Sequence, residues 1–142
     1  LVSEISDAIT GQVASVYYPE MQQIAIGNPA YWDEIIGAMT DVVHGIRGTA
    51  RRIGLNAKYL IAGKTGTAQV IGIAQDEEYE KDEIPEEFRD HALFIAFAPV
   101  EKPKIAIAII VENGGGGSRI AAPIARLLFD HYLIEKGKIN TG

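Results

Sequence analysis

Lys64, Thr65, Gly66 and Thr67 set a cation, two hydroxyls and a side-chain gap at four consecutive positions, inside residues 59–70, YLIAGKTGTAQV. In an extended chain alternate residues share a face, so Ala62, Lys64, Gly66, Ala68 and Val70 fall together, with Lys64 the one charge among small apolar neighbours. An ammonium buried there without a partner would be costly or would give up its proton; it therefore calls for an anion. Gly66 weakens a strand but lets another chain lie against its edge. Thr65 and Thr67 put hydroxyls beside that gap, suited to holding a carboxylate next to Lys64. A solvated lysine between two glycines of a bulge fits the same residue types, and these alone do not choose between the two.

Gly63-Lys64-Thr65 also ends like a phosphate-binding P-loop. That motif needs a first glycine at the position of Lys58, and a helix straight after the lysine. Residues 65–70 hold Gly66, two threonines and a valine, and read as continuing strand. The spacing argues against a P-loop.

The elements around this stretch follow from periodicity. Residues 1–26 hold short alternating pieces, at 13–17 and 22–26, broken by Gly11 and Pro19. Asn28-Pro29 opens a helix, with Asp33 and Glu34 at its positive end. Trp32, Ile35, Ile36, Met39, Val42, Val43 and Ile46 recur at three-and-four spacing, predicting a core-facing stripe that ends near Gly45 or Gly48. His44 reads as a helix-terminal surface residue, because no second ligand stands at metal spacing. Residues 47–56 form a glycine-punctuated connection with three arginines, either an anion-steering loop or a solvated linker. Residues 91–99 and 104–112 predict an antiparallel hairpin across a four-residue turn. Both strands are apolar on both faces, so a sheet covered on both sides is expected. His91 at the strand mouth reads as a hydrogen-bonded structural residue. NGGGGS, residues 113–118, fails the dinucleotide fingerprint, since Gly114 and Gly116 would require glycine at Arg119; close packing beside a neighbouring element is the expected use. A last helix over 119–136 takes Pro123 in its first turn and lays Ile120, Ile124, Leu127, Leu128 and His131 on the sheet.

At 142 residues the chain suits one domain, and 47% hydrophobic with 23% charged residues is an ordinary globular balance. No apolar run reaches the ~18 residues of a membrane span, and the start, LVSEISDAIT, has no signal-peptide pattern. Zero cysteines excludes disulfides and thiolate metal sites. The net charge of −6 is concentrated: residues 76–90 hold nine acids against Lys81 and Arg89, and the rest of the chain is near neutral. The acidic loop, 72–90, reads as a solvated surface loop. Without a basic stripe to release counterions, nucleic acid is not a partner.

With those elements placed, the sequence resembles the C-terminal half of the penicillin-binding transpeptidase domain, the fold shared with serine β-lactamases, whose parts are S-x-x-K, S-D-N and K-T-G. Lys64-Thr65-Gly66 matches the third, and KTGTAQ extends it as these transpeptidases do. HALFIAFAPV, VENGGGG and AAPIAR follow in the order of the monofunctional, class B type, so the similarity covers about residues 39–133. The resemblance implies an α/β fold of the α+β type, an antiparallel sheet packed by helices, with residues 1–142 as the C-terminal portion of one domain. It implies that Lys64 attracts the substrate's terminal carboxylate and that Thr65 and Thr67 hydrogen-bond it. Gly66 would admit a D-Ala-D-Ala stem peptide or a β-lactam along the strand edge, and the Thr67 N–H would form half of an oxyanion hole. Neither metal nor cofactor is implied. The implied partners are the rest of the transpeptidase domain and the cell-elongation machinery, in a periplasmic enzyme tethered to the inner membrane. A β-lactamase or D,D-carboxypeptidase shares K-T-G, and a non-catalytic β-lactam sensor domain is the alternative outside enzymes.

One departure governs the reading. The serines are Ser3, Ser6, Ser15 and Ser118, and three residues after them stand Ser6, Ile9, Tyr18 and Ala121, so S-x-x-K is absent. Two residues after them stand Ile5, Ala8, Tyr17 and Ile120, so S-x-N is absent too. Acyl transfer needs a nucleophile beside a base; this chain by itself is expected to be inactive.

Overall fold

A computed structural model describes residues 4–16, 24, 27–70 and 85–136. Apart from residue 24, the extended piece expected at 22–26 lies outside those residues, as does most of the acidic loop. Two short strands, β1 (Glu4–Ser6) and β2 (Val13–Val16), pair antiparallel. Helix α1 (Ala30–His44) starts where the sequence predicts, with Asn28 Oδ1 accepting the Ala30 N–H at 3.0 Å. Gly45 ends it in extended backbone, its N–H donating to the Asp41 carbonyl. The connection that follows contains one helical turn, α2 (Arg51–Gly54), which sequence reasoning left as linker.

Three antiparallel strands form the main sheet in the order β3 (Ala62–Ala68), β4 (His91–Ala98), β5 (Ile105–Val111). The β4–β5 hairpin is the one expected, closed by the Lys104 N–H on the Ala98 carbonyl. The register sets Lys64 opposite Ile95, Thr65 opposite Phe94 and Thr67 opposite Ala92. Since directly paired residues share a face, one face carries Thr65, Thr67, Ala92, Phe94 and Ala96, continued by Ile107 and Ile109 of β5. That is the covered face: Ala92 and Phe94 are fully buried, and they cluster with Val43, Ile53, Tyr59 and Ile61 and with residues of helix α3 (Ala121–Asp130). Helix α3 runs on into a π-helical turn, His131–Glu135.

Three expectations about packing are corrected. The stripe of α3 that meets the sheet is Ala121, Ala122, Ala125, Phe129 and, in the π turn, Leu133, all buried. Ile124, Leu127 and Leu128 are 38%, 69% and 46% exposed, and His131 is exposed too. Alanines at the start of the helix let its axis come close to the sheet, Phe129 and Leu133 fill the space further along, and of the expected stripe Ile120 does pack against the core. The sheet is also covered on one face only among the described residues. Ile95 and Ile110, on the other face, are 52% and 67% exposed, because no described element lies over them. The stripe of α1 is buried only toward its end: Val43 is fully enclosed, while Trp32, Ile35 and Ile46 are exposed.

Candidate active site

β3 is an edge strand of the three-stranded sheet, so one side of its backbone is free of strand partners among the described residues. Lys64 stands on the open face beside Ile95 and is exposed. Its ammonium is not buried without a partner: Nζ donates to the Thr65 carbonyl at 2.7 Å, a bond within its own strand. Among the described residues no carboxylate pairs with it, since the two ion pairs are Arg126–Asp130 and His131–Glu135. The cation is thus presented to solvent beside a free strand edge.

Thr65 and Thr67 lie on the opposite, helix-covered face. Thr65 is half-buried, and its hydroxyl meets that of Thr49 at 3.2 Å; Thr67 is exposed. The strand therefore sets the ammonium on one side of its edge and the two hydroxyls on the other, with Gly66 between them. Gly66 is half-buried, and a β carbon there would sit 3.2 Å from Leu93 Cβ. Behind it lies Gly117, whose own β carbon would overlap the carbonyl oxygens of Gly66 and Leu93 and come within 3.1 Å of the Gly66 nitrogen. The glycine-rich loop packs where the sequence reading expects, and the neighbour it packs against is the K-T-G strand itself.

That loop is anchored at its other end. His91 Nδ1 accepts the Asn113 N–H at 2.9 Å, which makes His91 the structural residue anticipated. The Asn113 side-chain amide donates to the Glu87 and Arg89 carbonyls, and the Gly115 N–H to the Asp90 carbonyl.

The lead-in to β3 is held from the other direction. Leu60 accepts the Val100 N–H at 3.1 Å, and the Ile61 N–H donates to His44 Nε2 at 3.0 Å. His44 is therefore half-buried and bonded to the strand's entry rather than a surface residue. Burial first, and the Arg126 guanidinium second, hold its pKa below the ordinary 6.5. Arg126 in turn ties α3 to the connection that follows α2. It donates to Asp130 Oδ2 at 2.7 Å and to the Ile53 and Leu55 carbonyls at 2.6 and 3.2 Å. The guanidinium also lies 5.9 Å from the Tyr59 ring centre, while the Tyr59 hydroxyl donates to Asp130 Oδ1 at 2.6 Å.

Sequence reasoning missed Thr49, His44 and Gly117 as neighbours of this strand. Thr49 sits in the 47–56 connection, on the rim of an open depression of about 670 Å³ also lined by Asp41 and Arg47. No local pattern signals the Thr49–Thr65 contact, because it spans sixteen residues. For Gly117 the signal was present in the run of four glycines.

Comparison with known proteins gives a consistent result. A family model described as penicillin binding protein transpeptidase domain matches residues 1–130. The peptidoglycan D,D-transpeptidase MrdA of Haemophilus influenzae is 40% identical over 131 residues, covering 91% of this chain and 20% of that protein. The structure of Pseudomonas aeruginosa PBP2 in complex with WCK 5153 superposes with a TM-score of 0.68 at 41% identity, covering 87% of this chain and 25% of that one. A complex between PBP2 and MreC from Helicobacter pylori gives 0.62 at 33% identity, covering 78% and 18%. The α+β architecture, an antiparallel sheet packed by helices, is shared with these structures. The chain spans about a fifth of the length of the curated relatives it matches.

Proposed function

The chain belongs to the penicillin binding protein transpeptidase domain family, and from that premise we propose that it supplies the K-T-G wall of a peptidoglycan D,D-transpeptidase active site. The observation that carries the proposal is an exposed lysine on an edge strand, followed by Thr65, Gly66 and Thr67, with no acid paired to it among the described residues. Such a strand accepts an extended peptide along its free edge, the backbone giving affinity and the side chains at the edge giving specificity. The Lys64 ammonium attracts the terminal carboxylate of a D-Ala-D-Ala stem peptide or of a β-lactam, and the Thr65 and Thr67 hydroxyls hold it.

In the reaction, a serine Oγ supplied by the rest of the transpeptidase domain attacks the penultimate D-Ala carbonyl and passes its proton to the adjacent base. The carbonyl oxygen becomes an oxyanion held by the Thr67 N–H and by the nucleophile's own N–H. The C–N bond then breaks, terminal D-Ala leaves with a proton, and an acceptor amine displaces the serine to form the cross-link. Loss of one such N–H donor costs roughly 100- to 1000-fold in rate. The whole 142-residue chain is placed here as the C-terminal portion of that domain, in a periplasmic, membrane-tethered enzyme acting with the elongation machinery. The solved complex of a relative with MreC supports that setting.

The test is fluorescent-penicillin labelling with intact mass, on this chain mixed with the part of the domain that carries S-x-x-K. Labelling of the partner's serine, lost by about 100-fold or more with Lys64→Ala, is the expected outcome. Unchanged labelling of the Lys64→Ala mixture would remove Lys64 from the site, and an adduct on this chain alone would place a nucleophile among its own serines. Adding an acceptor amine separates transfer from hydrolysis, and hence a transpeptidase from a β-lactamase or carboxypeptidase.

A further inference from the structure

Residue 61 is the last before β3, three positions ahead of Lys64, and its side chain is fully buried. A backbone N–H at such a place needs an acceptor, because leaving it unpaired costs the desolvation of the group. The acceptor is a side chain on another element, His44 Nε2, at 3.0 Å. A nitrogen that accepts from an amide carries no proton, so the ring is neutral, with its hydrogen on Nδ1.

We infer that His44 is a positioning residue for the Lys64–Thr67 strand, its neutral imidazole fixing where that strand leaves the end of α1. The inference rests on the acyl-transfer role proposed for the strand. Three observations support it. The ring is wedged: a β carbon on Gly54 of α2 would come within 3.1 Å of Nδ1, leaving little room on that side for the ring to swing away. The charge facing it from α3 is Arg126, whose guanidinium opposes a second positive charge; Asp130 on the same helix is already bonded to Arg126 and to the Tyr59 hydroxyl of the lead-in. Asp41, one turn earlier on its own helix, and Arg51 and Arg52 of α2, the element packed against α1, are all exposed. Finally, among the described residues two other bonds hold the strand entry, the Val100 N–H on the Leu60 carbonyl and the Tyr59 hydroxyl on Asp130; the first joins main chain to main chain and the second holds a side chain, so the imidazole is the ionisable group bonded to the entry's own backbone.

Protonation would turn this acceptor into a donor facing an N–H, next to Arg126. The folded chain holds the pKa of His44 below the unfolded 6.5, so it binds this proton less readily than the unfolded chain does. The stabilisation it contributes is therefore present above about pH 6.5 and is lost as the pH falls through the lower, folded value.

The experiment compares the complete protein with its His44→Gln and His44→Phe variants between pH 5 and 8. Acylation rate at saturating fluorescent penicillin is read alongside hydrogen exchange of the peptide containing Ile61. Gln keeps an acceptor that does not titrate. The expected result is a wild-type acid limb of about tenfold, the scale of one lost buried hydrogen bond, that His44→Gln flattens while matching wild type near pH 7.5. The Ile61 peptide should exchange faster at low pH, relative to its intrinsic rate, in wild type only. His44→Phe should be slow throughout; should it fail to fold, the wild-type and Gln profiles decide alone. An identical acid limb in wild type and His44→Gln, with Ile61 protection equally flat, overturns the inference. If wild type is not acylated at all, the proposed function has failed, and the exchange data still decide whether His44 holds Ile61.

Discussion

Gly117 is buried and backs directly onto Gly66, the residue that leaves the gap in the K-T-G strand. Atoms that a side chain at 117 would meet belong to the backbone of Gly66 and Leu93, and two paired strands cannot yield as a flexible side chain would. Gly116, its neighbour, has nothing within 4 Å of its β-carbon position and no positive φ. The pair forms an internal control. Gly117→Ala should lower stability by about 1–3 kcal/mol, the usual cost of overpacking, and slow acylation by displacing the Gly66–Thr67 backbone. Gly116→Ala should change neither by more than about 0.5 kcal/mol or its equivalent in rate. Urea denaturation and penicillin acylation of the complete protein measure both; equal behaviour of the two variants would show that the loop does not support the strand. The K-T-G residues were legible in the sequence because their types and spacing are local. Their partners Thr49 and His44 were not, since each is brought in from another element by tertiary packing; for Gly117 the run of four glycines signalled close packing but not the strand it packs against.

Among the elements, α1 and the β4–β5 hairpin followed from capping, periodicity and a short turn, all of which act within a few residues. Helix α3 shows where that reasoning fails. Ile124, Leu127 and Leu128 form a convincing stripe, yet the sheet takes three alanines together with Phe129 and Leu133, because the separation of helix and sheet is set by what fits between them. Arg126 then becomes the tie between elements: from α3 it reaches carbonyls at and just beyond the end of α2, groups a helix terminus leaves without internal partners. Its side chain is 20% exposed and that of Asp130 32%, so the ion pair is partly screened and the carbonyl bonds matter most. Arg126→Ala should cost about 2 kcal/mol, and Arg126→Lys an intermediate amount, since an ammonium cannot reproduce the planar fork. Denaturation midpoints read the difference, and a lysine variant as stable as wild type would mean that charge alone suffices. The Tyr59 phenol, buried and bonded to Asp130, has its pKa raised above 10.0. Folding thus favours its protonated form, and that stabilisation holds below about pH 10 and fades above it.

At the scale of the molecule, the sheet has one packed face and one open face, and the open one carries Lys64 together with Ile95 and Ile110. The apolar residues on both faces of β4 and β5 led the sequence reading to expect cover on both sides. The described residues provide it on one, and the chain spans about a fifth of its relatives' length. Under the proposed function the rest of the transpeptidase domain lies over the open face, which brings its serine toward Lys64. A charge placed there tells the two situations apart. Ile110 is 67% exposed, so Ile110→Glu in the 142-residue chain should shift stability by no more than about 0.5 kcal/mol. In the complete protein the same carboxylate would be buried without a partner, at a cost of several kcal/mol, seen as a lowered unfolding midpoint and weakened penicillin labelling. Glu101→Lys in the exposed β4–β5 turn serves as the control for a change of charge alone. If the complete protein tolerates Ile110→Glu as well as this chain does, the open face stays in solvent, and the serine must approach Lys64 from beyond the strand edge instead.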